Sequence, residues 1–89
     1  MTTKLDNWET VEEEEKLRKE FLFSSFTEAL AFVQKVGEEA ERENHHPDIH
    51  IYFKKVVIET TSHDQGNKIT EKDTQLAEQI NRIFSKKTI

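Results

Sequence analysis

Residues 41–48 read Glu-Arg-Glu-Asn-His-His-Pro-Asp and mark the point at which the chain changes from helix to strand. Charged, helix-favouring sequence precedes this stretch, and β-branched and aromatic sequence follows it. Because Pro47 disfavours helical backbone at the residue before it, we predict that the helix ends by about Asn44 or His45. His45 and His46 lie within this stretch, and His63 lies eighteen residues after His45. Imidazole side chains that come together in the fold could transfer protons or bind a metal ion. Among side chains, only histidine has an unperturbed pKa that places its protonation change between pH 5 and 8.

The size and composition indicate one small acidic domain. We treat residues 1–89 as that domain and expect residues 1–7 to be flexible. Hydrophobic residues make up 34% of the chain and charged residues 35%, with a net charge of −5. So low a fraction of hydrophobic residues favours a homo-oligomer. A small core buries little apolar surface, and contacts between subunits would bury more of it. The acidic balance argues against nucleic acid and anionic lipid as partners.

Three further absences narrow the class of protein. No apolar run approaches the length of a membrane span, and the N-terminal residues lack the apolar core of a signal peptide. The chain has no cysteine, which excludes disulfides and cysteine-containing zinc sites. We therefore expect a soluble, cytoplasmic protein with no membrane partner.

Hydrophobic spacing predicts the element order β-β-α-β-β-α. The expected strands are 8–11, 16–23, 49–53 and 56–61, and the expected helices start at caps Ser25 and Thr70. The apolar stripes assigned to the helices are Phe26, Leu30, Val33, Val36 (or Gly37) and Ala40 in the first, and Leu76, Ala77, Ile80, Ile83 and Phe84 in the second. Hairpins and helices segregated in this way indicate an α+β fold, a four-stranded antiparallel sheet with both helices packed on one face.

The histidines allow three interpretations. A metal site is disfavoured, because Pro47 between His46 and His50 precludes the helical geometry that their spacing would need. The plainest alternative leaves the histidines of residues 41–48 solvated in a loop and His63 at a strand end. Proton transfer requires His63 to meet His45 across the end of the sheet. His50, on the exposed side of its strand, is expected to have no role at the site.

Several motifs in a fixed order carry a resemblance. They are Glu-x-x-x-His-His-Pro from Glu41, an aromatic residue at Phe53, Thr-Ser-His over 61–63 and Thr-x-x-Asp over 70–73. With Trp8, Phe21, Phe23, Phe26, Ala29 and Phe32, this set resembles the pterin-4a-carbinolamine dehydratase family over nearly the whole chain. The chain departs from the family at Phe53, where tyrosine is common, at Lys68, where glycine is common, and in a longer loop after His63.

The resemblance implies dehydration of 4a-hydroxytetrahydropterin to quinonoid dihydropterin, which recycles the pterin used by aromatic amino acid hydroxylases. It also implies an antiparallel sheet with helices on one side, assembly as a homodimer or homotetramer, and no cofactor, since the pterin is the substrate. A pterin-dependent hydroxylase is a further candidate partner. An acid must protonate the hydroxyl on C4a and a base must remove the N5 proton, tasks for groups that titrate near neutrality.

The resemblance also suggests roles at the site. We expect His45 to act as the acid at the C4a hydroxyl and His63 as its acid/base partner. His46 would orient the pterin or share the proton role, and the sequence does not separate these assignments.

Four more residues are candidates for substrate binding or support. Glu41 is expected to hold an imidazole or bind a pterin ring nitrogen, and Pro47 to fix the loop. Asp73 is expected to cap the second helix, with orientation of His63 as an alternative. Trp8 would cover the pterin ring or else pack in the core or an interface.

Two other functions remain open at this stage. Animal relatives also serve as dimerisation cofactors of a homeodomain transcription factor, which would make this chain a non-catalytic binding partner. A pterin site that serves molybdenum cofactor metabolism is the other alternative.

Overall fold

The computed structural model describes residues 8–13, 15–62, 65–66 and 68–86, with the side chain of residue 86 excepted. The elements are β1 (Glu9–Val11), β2 (Lys16–Leu22), α1 (Phe26–Glu43), β3 (Asp48–Tyr52), β4 (Lys55–Thr60) and α2 (Glu71–Lys86). They confirm the predicted order β-β-α-β-β-α and the α+β class. Residues 1–7, which we expected to be flexible, lie outside the described residues.

The four strands form one antiparallel sheet in the order β1-β2-β4-β3. The register places Phe21 opposite Val56 and Ile51 opposite the same valine, so one row of side chains crosses β2, β4 and β3 on the inner face. The neighbouring row, with Glu20 and His50 on either side of Val57, points to the opposite face. This alternation separates an apolar face from a charged one, as the period-2 pattern of β2 predicts.

Both helices pack on the apolar face and enclose a core rich in aromatic rings. Phe21, Phe23, Phe32 and Phe84 form its centre, with ring centroids 4.9–5.8 Å apart in tilted or edge-to-face pairs. Edge-to-face contact is the favoured geometry for aromatic rings. The core therefore joins β2 to both helices, and the polar ends of those helices lie at its margin.

The ends of α1 follow the predicted signals. Ser25 Oγ accepts a hydrogen bond from the backbone N–H of Glu28 at 3.1 Å, while the Glu28 carboxylate accepts from Ser24. At the other end Asn44 adopts a left-handed backbone with φ of 55°, and its N–H donates to the Glu41 carbonyl. The helix thus ends at Glu43 with Asn44 as its C-cap, as the position of the proline predicts.

The predicted apolar stripe of α1 is partly wrong. The fully buried residues of this helix are Ala29, Phe32, Val36 and Ala40. Phe26 and Leu30, which we placed in the stripe, are 45% and 44% exposed. The buried face of α1 includes the small side chain of Ala29. The helix is therefore rotated about its own axis relative to the orientation that its largest apolar residues suggest. Among the described residues, no helix is long and apolar enough to span a membrane.

Candidate functional site

His45 and His46 follow the end of α1, and their side chains point in opposite directions. The backbone N–H of His45 donates to the Ala40 carbonyl at 3.1 Å, which turns the chain back over the last helical turn. The chain then extends toward β3, and adjacent side chains in extended backbone face opposite sides. The side chain of His45 is 9% exposed and that of His46 is 56% exposed. Only His45 is therefore held inside the protein.

His45 meets a buried carboxylate from α2. Its Nε2 lies 2.7 Å from Oδ1 of Asp73, which is fully buried at the third position of that helix. The two residues are 28 positions apart in the chain, so the contact depends on how the start of α2 packs beside the end of α1. A charge-assisted hydrogen bond of this length is among the stronger polar contacts that proteins make.

Three more donors surround the same carboxylate. The Thr60 hydroxyl donates to Oδ1 at 2.6 Å, and the Ser62 hydroxyl donates to Oδ2 at 2.7 Å. The backbone N–H of Thr70 donates to Oδ2 at 2.9 Å, while Thr70 Oγ1 accepts from the N–H of Lys72 at 3.3 Å. The Thr70 hydroxyl thus accepts from the second residue of the helix and the Asp73 carboxylate accepts from the Thr70 N–H, which confirms the predicted cap.

These donors keep Asp73 ionised. Burial raises the pKa of the Asp73 carboxyl, but hydrogen bonds from His45, Thr60, the Thr70 backbone and Ser62 oppose it and together hold the pKa below its ordinary value. The positive end of the α2 dipole also favours the anion. An ionised carboxylate accepts hydrogen bonds only, so the proton between the two residues belongs to Nε2 of His45.

That assignment fixes the chemistry open to His45. With Nε2–H directed at Asp73, neutral His45 carries its lone pair on Nδ1, where it accepts a proton. Among the described residues, the hydrogen bond of the imidazole is made through Nε2. His45 is therefore oriented to give and take a proton through Nδ1.

His46 forms a different kind of pair. Its Nε2 lies 2.8 Å from Oε2 of Glu41, and both side chains are largely exposed. Glu41 thus contacts an imidazole, one of the two roles expected of it, but in a solvated pair that contributes little rigidity. His46 remains free to reorient toward a bound molecule.

The other predicted residues lie elsewhere or outside the described part. Trp8 is buried in the core, edge-on to Phe21, and its indole N–H donates to Oδ1 of Asn81 at 2.9 Å. Its contact with a pterin remains a prediction. His50 is exposed on the open sheet face, 3.6 Å from Glu59. His63, the expected partner of His45, lies outside the described residues, so their meeting also remains a prediction.

Sequence reasoning missed Thr60 and Ser62 as part of this site. They continue the inward alternation of Val56 and Ile58 along β4, and both are buried. A hydroxyl at a buried strand position needs a hydrogen-bond partner, and this requirement is the signal that would have identified them.

Other candidate sites in the described residues are less developed. No cluster of three histidine, aspartate or glutamate side chains that could hold a metal ion occurs among them. A groove of about 590 Å³ lies between the two helices, lined by residues that include Phe32, Lys35, Arg42 and Arg82. The groove includes none of the predicted site residues.

Comparisons with known proteins agree on one family. The model of the family described as pterin 4 alpha carbinolamine dehydratase matches residues 1–83. A relative from Sulfolobus acidocaldarius, named as a candidate pterin-4-alpha-carbinolamine dehydratase, is 44% identical over 71 residues, which cover 80% of this chain and 77% of the relative. A Prochlorococcus marinus protein of the same name is 39% identical over 84 residues, covering 94% of this chain and 84% of its own length.

Solved structures show the same fold. A transcriptional coactivator/pterin dehydratase from Brucella melitensis superimposes with a TM-score of 0.84 at 30% identity, covering 89% of this chain and 83% of that one. A pterin dehydratase-like protein identified as a RuBisCO assembly factor in the alpha-carboxysome gives a TM-score of 0.75 at 20% identity, covering 88% and 89% of the two chains, a likeness of fold alone. With a family model that matches nearly its full length, this chain belongs to the pterin-4a-carbinolamine dehydratase family.

Proposed function

We propose that this protein dehydrates 4a-hydroxytetrahydropterin to quinonoid dihydropterin by histidine acid/base catalysis. Membership of the family supports the reaction class. The observation that carries the assignment is the buried contact between His45 and Asp73, which presents Nδ1 of an oriented imidazole for proton transfer. The product would return to the pterin pool of an aromatic amino acid hydroxylase.

The reaction removes one water from the substrate. Protonated His45 gives the proton on Nδ1 to the C4a hydroxyl as the C4a–O bond breaks, and water leaves. The N5 lone pair forms the new double bond to C4a, and a base takes the N5 proton. Asp73 remains anionic throughout and holds the imidazole in its orientation. We assign the base role to His63, from the sequence, and a pterin-orienting role to His46.

Turnover by histidine variants tests the proposal. We expect His45→Ala to lower kcat by about 10²–10⁴-fold, the usual contribution of a positioned acid or base. His63→Ala should have an effect of similar size, and His46→Ala a smaller one. His50→Ala is the matched control because His50 is exposed on the open face, and its turnover should stay within about twofold. Near-normal turnover by both His45→Ala and His63→Ala would reject the scheme.

Pterin binding separates this function from a binding role. The proposal includes a small-molecule pterin substrate, a cytoplasmic location, and a homodimer or homotetramer. Dihydrobiopterin at about 100 times its Kd should stabilise an enzyme against unfolding by about 2.7 kcal/mol. A chain that acts only as a dimerisation partner would be indifferent to the pterin. A chain that binds the pterin but lacks dehydratase turnover would favour the role in molybdenum cofactor metabolism.

A further inference from the structure

Two hydroxyl groups from one edge of the core converge on the carboxylate that holds His45. Thr60 is the last residue of β4, and Ser62 follows two positions later, paired across an isolated bridge with Lys68. Both side chains are almost fully buried, as is Asp73. Each hydroxyl is directed to a different oxygen of Asp73, at 2.6 and 2.7 Å. The hydroxyls of Thr60 and Ser62 therefore hold the Asp73 carboxylate from the side of β4.

The hydrogen bonds to Asp73 saturate its acceptor sites. An ionised carboxylate offers about four lone-pair sites. His45 Nε2 and the Thr60 hydroxyl take the two on Oδ1, and the Ser62 hydroxyl and the Thr70 N–H take the two on Oδ2. Rotation about the side-chain bonds of Asp73 would break several of these contacts together. The plane of the carboxylate is therefore fixed relative to the imidazole.

The order of donors is also fixed. A hydroxyl has one hydrogen, and that of Ser62 is directed to Asp73. The 2.6 Å contact between Ser62 Oγ and Thr70 Oγ1 must then use the hydrogen of Thr70. The chain of donors runs from Thr70 through Ser62 to Asp73, and a reversal at Ser62 would leave its oxygen facing Oδ2 of Asp73 with no hydrogen between them. The ionised carboxylate accepts from both Ser62 and His45.

We propose that Thr60 and Ser62 are positioning residues of the dehydratase: by holding the Asp73 carboxylate in one orientation, they keep His45 in the tautomer with hydrogen on Nε2 and make Nδ1 its reacting atom. The inference rests on the proposed function, because it names the atom through which His45 acts. Neither hydroxyl needs to touch the substrate. Their effect reaches the reaction only through the direction and protonation pattern of the imidazole.

Kinetics of hydroxyl variants form the first test. We expect Thr60→Val and Ser62→Ala each to lower kcat by about tenfold and to leave KM within about twofold, since misorientation of a reacting group reduces the rate more than binding. Thr60→Ser keeps the hydroxyl and should restore most of the turnover. Thr61→Val is the matched control, because the Thr61 hydroxyl is also buried but donates to the Glu15 carbonyl at 2.8 Å.

The tautomer of His45 is the second test and does not depend on turnover. Nitrogen-15 chemical shifts of the labelled wild-type protein should report hydrogen on Nε2 of His45, and the Thr60→Val and Ser62→Ala spectra should show a mixture of tautomers. A neutral wild-type His45 with hydrogen on Nδ1 and none on Nε2 overturns the proposal even if no variant folds. So does normal turnover by folded Thr60→Val and Ser62→Ala, or an equal loss in Thr61→Val.

The two proposals can fail separately. If His45→Ala retains full turnover while the spectra show the expected tautomer, the catalytic assignment of His45 is wrong, although the bracing of its imidazole is real. If His45→Ala is inactive while Thr60→Val and Ser62→Ala are fully active, the catalytic assignment stands and the positioning role is wrong.

Discussion

Replacement of Asp73 by asparagine is the change that the structure predicts in most detail. Asn keeps the shape of the side chain but replaces one oxygen with an NH₂ group that cannot accept a hydrogen bond. If the NH₂ group took the position of Oδ2, it would face the backbone N–H of Thr70, which can only donate a hydrogen bond. The amide nitrogen should therefore occupy the Oδ1 position, opposite Thr60 and His45. There the threonine hydroxyl can rotate to accept, and the imidazole must move its hydrogen to Nδ1.

The cost follows from the four hydrogen bonds to Asp73. Hydrogen bonds to a charged group contribute about 1.5–3 kcal/mol each and neutral ones about 0.5–1.5 kcal/mol. The change therefore loses roughly 1 kcal/mol at each contact, offset in part because a neutral amide is cheaper to bury than a carboxylate. We expect Asp73→Asn to lower the free energy of unfolding by about 2–4 kcal/mol at pH 7. That is a large part of the 5–15 kcal/mol that stabilises a typical domain.

The loss should depend on pH in a defined direction. The pKa of Asp73 is lowered in the folded protein. Its stabilising contribution is therefore complete above the unfolded pKa of about 4 and disappears as the pH falls through the folded value. Asparagine does not titrate, so the difference between wild type and Asp73→Asn should narrow below about pH 4.

Urea unfolding monitored by the fluorescence of Trp8, the only tryptophan, measures both effects. Asp48→Asn is the control, since Asp48 is an exposed acid and its replacement should change stability by less than about 0.5 kcal/mol. A loss of similar size in Asp48→Asn and Asp73→Asn at pH 7, or a difference that widens in acid, would refute the reasoning.

Three further changes test other parts of the fold. Phe53 is 68% exposed and has a φ of 55°, so Phe53→Asn should raise stability by about 0.5–1 kcal/mol in thermal unfolding, and a lower midpoint would contradict this. Trp8→Phe removes the donor to Asn81 and part of a buried ring. It should lower the free energy of unfolding by about 2–3 kcal/mol, measured by urea unfolding followed by circular dichroism. A loss under about 1 kcal/mol would argue against the packing role. Burial and a hydrogen bond to Glu39 raise the pKa of Glu43 to about 7, so folding favours its protonated form and stability should fall as the pH rises from about 4.5 to 7. Glu43→Gln should flatten that fall and raise Tm at pH 8 on the order of 2 °C, and an unchanged pH profile would contradict the assignment.

Most of the fold was predictable because its signals are local. Leu17, Phe21 and Phe23 alternate along β2, and this spacing alone assigns its inner face. A serine followed three residues later by glutamate marks the start of α1 whatever the rest of the chain does. The orientation of α1 was not predictable in the same way, because a helix has a broad apolar face and its neighbours decide which part of that face is buried. The small side chain of Ala29 allows the close contact that leaves Leu30 exposed.

The site was predictable as a set of residues but not as a set of contacts. The sequence singled out His45 and Asp73, yet it assigned the aspartate to a helix cap and, as an alternative, to His63. The cap is confirmed, and the same carboxylate also accepts from His45. No local pattern gives a distance between residues 28 positions apart. That distance follows from the packing of two helix ends on one sheet, which only the folded chain defines.

Asp73 both caps α2 and holds the imidazole of His45, and this links the orientation of His45 to folding. The carboxylate that begins α2 also holds the imidazole, so any change at Asp73 alters stability and the tautomer together. Loss of activity in an Asp73 variant therefore cannot by itself distinguish a catalytic role from a structural one. The Thr60 hydroxyl contacts the carboxylate without touching Thr70, whereas Ser62 Oγ also bonds to Thr70 Oγ1 at 2.6 Å. Because loss of the Thr60 hydroxyl leaves the contacts of Asp73 and Ser62 with Thr70 in place, a change at Thr60 disturbs support of the imidazole while the helix cap remains.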